Sequence, residues 1–96
     1  MTELIKGCFC KSIAGHDKDS IYIIIDVNES VMVADGKYRK LENPKKKNPN
    51  HLRRIDYEDR FLAKKLADKK LHNEEIKYSI KKYLKSLSNK QEVMNV

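Results

Sequence analysis

The sequence predicts an α+β fold, a small β-barrel of about five strands followed by two C-terminal helices. Three observations predict it. The hydrophobic period changes near Asp56, from short β-branched runs bounded by turn residues to helical spacings that contain no Gly or Pro. The candidate strands are short and closely spaced within the first 55 residues, a pattern that favours an SH3-like barrel over a sandwich. The chain of 96 residues has room for one domain and no second independent core.

Ile5 to Ser12 alternates as a first strand, and the polar stretch Ala14 to Asp19 follows as a loop. Ile21 to Val27, dense in Ile, Tyr and Val, reads as the central strand. Its odd positions Ile21, Ile23, Ile25 and Val27 face one way, and Tyr22 and Ile24 make the opposite face apolar too. After the turn Asn28 to Ser30, the runs Val31 to Ala34 and Lys37 to Leu41 flank Asp35-Gly36, a two-residue loop suited to a type I′ hairpin. That register turns Tyr38 inward with Val33, and Lys37 and Arg39 outward. Pro44 and Pro49 bracket Lys45-Lys46-Lys47 and predict an exposed loop, and Leu52 to Ile55 adds a last strand. A first helix is capped at Asp56, with Asp59 as an acid in its first turn, and continues through Phe61, Leu62 and Leu66. A second, capped at Asn73, carries the stripe Ile76, Ile80, Tyr83, Leu84 and Leu87 and is expected to cover the Tyr22 and Ile24 face. The predicted division is 1–55 barrel, 56–88 helical extension packed on it, and 89–96 flexible tail.

Charge is the feature that bears on function. Lys37 to Arg54 holds eight Lys and Arg against Glu42 alone, while the other 13 basic and 13 acidic residues cancel, so the window carries the whole net charge of +7. Concentrated positive charge makes a local field suited to phosphates. Arg39, Arg53 and Arg54 can grip phosphate oxygens bidentately, with Lys37, Lys40, Lys45, Lys46 and Lys47 as point charges and His51 within reach of sugars or a loop base. With Tyr38 assigned to the core, base stacking has little support, and the pattern points to backbone recognition of structured, mostly double-helical RNA.

Other chemistries lack residues. There is no GxSxG, P-loop or HExxH pattern, and three glycines cannot build a glycine-rich phosphate cradle. Cys8 and Cys10 read as structural thiols on one strand face, too close together to staple the fold and short of two zinc ligands. The longest apolar run, Ile21 to Ile25, is far below a membrane span, and the chain start has no apolar leader, so a cytoplasmic protein is expected. No enzyme activity, cofactor, metal, small-molecule substrate or membrane partner is expected.

Gly7-Cys8-Phe9-Cys10-Lys11-Ser12-Ile13-Ala14-Gly15-His16-Asp17-Lys18, leading into Ile21 to Val27, resembles a KOW motif, a strand that enters a glycine-containing loop and leaves by an apolar strand. Ala34 to Lys40 and Lys47-Asn48-Pro49-Asn50-His51-Leu52 are similar to bacterial KOW-domain RNA-binding proteins related to the fourteen-e type of large-subunit ribosomal protein. The resemblance covers about residues 4 to 55. It implies an SH3-like barrel, RNA as partner, ribosomal RNA in particular, ribosomal proteins as neighbours, and Lys18 as a further contact. Asp19 stands where many KOW loops have Gly, and an acid there weakens phosphate contact by the loop. The competing expectation is an SH3-like protein-interaction module that docks onto a ribosome or transcription assembly through an apolar surface.

Overall fold

The computed structural model describes residues 3–94, and side chains as far as Ser88. Five strands, β1 (Phe9–Ser12), β2 (Ile21–Val27), β3 (Val31–Ala34), β4 (Lys45–Lys47) and β5 (Leu52–Arg54), form one antiparallel sheet in the order β4-β3-β2-β1-β5. A 3₁₀ turn, Pro49–His51, leads into β5, and the helices α1 (Arg60–Ala67) and α2 (Asn73–Met94) follow. The α+β class and the order of strands before helices agree with the sequence. The edge strands β4 and β5 are not paired with each other, so the sheet is open.

The sheet is apolar on both faces, and each face has its own cover. Cys10, Tyr22, Ile24, Val31, Val33 and Leu52 pack together on one face with Leu4 and Cys8, and no helix is among them. Cys10, Ile24 and Val33 are nonetheless fully buried, which requires the sheet to curl over itself. A bulge at Ile25 aids the curl: Ile24 pairs with Val33, but Asp26 pairs with Met32. The bulge also pairs Val27 with Val31 of this inner face, breaking the expected grouping of Val27 with Ile21 and Ile23. On the outer face Phe9, Ile23 and Ala34 pack against Leu62 of α1 and Ile76 of α2. The helices thus cover the Ile23 face, not the Tyr22 and Ile24 face that the sequence suggested. Tyr57 and Tyr83 stack around Phe9 with ring centroids 5.0 and 5.8 Å away, sealing this second core.

Two further expectations fail. Lys37 to Leu41 is not a strand, and Lys45–Lys47 is one, hydrogen-bonded to β3 with Val33 opposite Lys45 and Val31 opposite Lys47. The cause lies at α2. Gly36, with φ +80°, sits so close to the helix start that a Cβ there would collide with the Asn73 carbonyl oxygen. The Asn73 side chain accepts the Leu41 N–H at 2.8 Å and donates to Glu42 at 2.6 Å. This capture draws the chain away from β3, so β3 takes the lysine segment as its partner. Asn73 is thereby spent on the loop, and Glu75 instead accepts the His72 N–H at 2.9 Å as the reciprocal cap of α2. The helix runs to Met94, into the stretch expected to be a tail, and residues 95–96 lie outside the described ones. No helix among the described residues is long and apolar enough to cross a membrane.

Candidate functional site

Strand pairing sorts the basic window into separate environments. Residues opposite one another in a sheet share a face, so Lys45 and Lys47 point inward with Val33 and Val31. There both meet Asp17, at 2.9 and 3.0 Å, and Lys47 also donates to the Ser12 hydroxyl at 3.2 Å. Asp17 further accepts from the hydroxyls of Ser12 (2.9 Å) and Tyr22 (2.8 Å). Burial favours its neutral form, but the two ammonium groups and two hydroxyls outweigh that and hold the carboxyl well below the usual range. The Lys47 side chain is only 7% exposed. The reading of Lys45-Lys46-Lys47 as three ammonium groups on an exposed loop is therefore corrected: Lys45 and Lys47 clamp the β1–β2 loop to β4, and only Lys46 is exposed.

Lys46 lies beside the β2–β3 turn with Met32 and Glu29. Arg54 faces the other way and donates to the Glu3 carbonyl at 3.1 Å. Lys37, Arg39, Lys40, His51, Arg53 and Lys18 are all exposed, and none of them bridges to a carboxylate among the described residues.

The loop between β3 and β4 presents three of these cations. Asp35 Oδ1 accepts the backbone N–H groups of Lys37, Tyr38 and Arg39, each at 2.8 Å, and the N–H groups of Asp35 and Gly36 donate to the Arg39 carbonyl. Such a nest of bonds fixes the turn without strand pairing. It also turns Tyr38 outward, 79% exposed, with the Lys37 ammonium 5.0 Å from its ring centroid. The inward Tyr38 of the predicted hairpin is corrected accordingly. Lys40 stands near Lys37 across the helix start, beside His72 and Lys77.

Arg53 joins this region through β1. It lies opposite Lys11, and Lys11 lies opposite Ile21, whose side chain borders the groove under Tyr38. Sequence reasoning missed Lys11 and Lys81 as members of this surface, because a charge window along the chain cannot register neighbours brought in by strand pairing or helix packing, and it missed Tyr38 because the expected hairpin register turned the ring inward.

The buried thiol of Cys10 is not a reactive centre. Burial, with Cys8 nearby, pushes the Cys10 thiol up to about 12, so it carries no thiolate at neutral pH. No group of three His, Cys, Asp or Glu side chains able to hold a metal occurs among the described residues. No model of a known protein family matches the chain, and no curated protein matches it.

Proposed function

We propose that the chain is a non-enzymatic RNA-binding protein, an SH3-like barrel of the KOW type with a helical cover, that grips the backbone of structured RNA. The barrel reading draws support from the strand order and from an inner core that no helix covers. The RNA reading rests on one observation above others: Lys18, Lys37, Arg39, Lys40 and Arg53 stand exposed and unbridged, while Lys45 and Lys47 are consumed by Asp17. Positive charge left without an ion pair among the described residues suits a phosphate partner. The KOW resemblance makes ribosomal RNA, and residence on or near a ribosome in the cytoplasm, the specific form of this proposal.

Binding to a short RNA duplex, followed by fluorescence anisotropy across a salt series, tests it. Five phosphate contacts give a log-log slope of about −4 to −5. Replacing Lys37, Lys40 and Arg53 together by Ala should flatten the slope by about 2 to 3. A flat salt dependence in the wild type would sink the proposal.

A second reading, docking to a protein, is favoured by Phe61 and Tyr78, 75% and 65% exposed beside the groove between α1 and α2. Phe61→Ser with Tyr78→Ser leaves RNA affinity unchanged on the leading proposal. Loss of association with ribosomes in these variants, with RNA binding intact, would favour the second.

A further inference from the structure

We infer that Tyr38 and the groove beside it hold one unpaired nucleobase, so that the preferred ligand is structured RNA interrupted by a bulged or looped-out nucleotide. This rests on the RNA-binding proposal and narrows its ligand. The groove, about 530 Å³, runs between the β3–β4 loop and α2, with Ile21, Ile80 and Leu84 as its apolar floor and Lys37 and Lys81 at its rim. An aromatic ring exposed to 79% at the edge of such a groove gains by stacking on a base, which is flat, apolar on its faces and of matching size. The backbone that carries the ring is preorganised for this, because Asp35 fixes the three amides around it and Gly36 is wedged against α2.

Electrostatics select a nucleotide over an apolar side chain. Of the two acids at the groove, Asp19 is paired with Lys11 at 3.5 Å, and Asp35 keeps its charge but directs Oδ1 at backbone amides, against three lysines, Lys37, Lys77 and Lys81, in the same lining. Glu74 pairs with Lys77 at 2.9 Å, which leaves Lys37, Lys40 and Lys81 for the phosphates that flank an inserted base. A continuous duplex keeps its bases stacked and cannot offer one to Tyr38. A bulge offers one at little unstacking cost.

The test compares a blunt RNA duplex with the same duplex carrying a single-nucleotide bulge, titrated against wild type, Tyr38→Phe and Tyr38→Ala. The wild type and Tyr38→Phe should prefer the bulged RNA by about tenfold, the span of one stacked base. Tyr38→Ala should lose the preference and keep its affinity for the blunt duplex, with an unchanged circular dichroism spectrum, since the ring packs in neither core. Equal wild-type binding of the two duplexes, or an equal loss on both in Tyr38→Ala, overturns the base site and leaves RNA binding standing. Absence of salt-dependent binding to either RNA overturns both.

Discussion

Asp17 is the side chain on which the basic strand depends. It faces two ammonium groups in the inner face of the sheet, and removing it strands Lys47 as a buried cation without a carboxylate. Asp17→Ala should therefore cost about 3–5 kcal/mol, read as the fall in urea midpoint multiplied by the slope. Lys47→Met should cost less, because Asp17 keeps Lys45, Ser12 and Tyr22; equal costs would contradict the assignment. The same carboxylate sets an acid response. Its folded value lies below the value of about 3.9 that an aspartate has in an unfolded chain, so its stabilisation is complete above about pH 5 and is lost as pH falls below that range. Urea midpoints at pH 6, 4 and 3 should fall steadily in the wild type and less steeply in Asp17→Asn. Asp19, two residues on, has φ +75°, the left-handed region where glycine is at ease. Asp19→Gly frees Lys11 and should steepen the salt slope of RNA binding by about 1.

The elements that the sequence revealed are those whose apolar period is local. β2, β3 and the α2 stripe at Ile76 and Ile80 could be read from spacing, whereas α1 is capped by Asp59, three residues beyond the expected cap at Asp56. β4 could not, since three lysines between two prolines have no strand propensity, and their pairing is decided by the competition for β3 that Asn73 and Gly36 settle from α2. The Asp35-Gly36 pair is a strong local hairpin signal, and here a tertiary contact overrides it. The prolines were compatible with a strand in retrospect, because the residue before a proline is pushed toward extended geometry. The exposed cations of the site were legible as charge, but which of them are free depended on parity in a strand that the chain itself does not announce. Gly36→Ala tests the override. With positive φ and the Asn73 carbonyl in the way, it should destabilise by about 1–3 kcal/mol or more and release the β3–β4 loop. Faster amide exchange at Tyr38 and Arg39, with exchange at Ile23 and Ile24 scaled only by global stability, is the expected signature.

The two cores bind sheet and helices into one folding unit. The inner cluster is made by the sheet alone, but Phe9, Ile23 and Ala34 of the outer cluster are fully buried only because Leu62, Ile76, Tyr57 and Tyr83 lie over them. The helices are tied to each other as well, since Asp59 accepts both the Leu62 N–H at the start of α1 and the Ser79 hydroxyl of α2 at 2.6 Å. Lys65 and Glu75 add an ion pair between the same helices. A chain ending at Ile55 would expose an apolar sheet face and an edge strand of three residues. Residues 1–55 expressed alone should therefore be unfolded or aggregated, with no dispersed amide spectrum, even though they hold every strand. In the full chain, helix content at 222 nm and the near-ultraviolet signal of the Phe9, Tyr57 and Tyr83 cluster should disappear at one urea concentration. Ile76→Ala, a deletion at the meeting of helix and sheet, should lower that single midpoint by an amount worth about 2–5 kcal/mol without splitting it. Two separate midpoints, with the sheet outlasting the helices, would instead make the helices a dispensable annex, and the groove at Tyr38, built from both, could then open and close apart from the sheet.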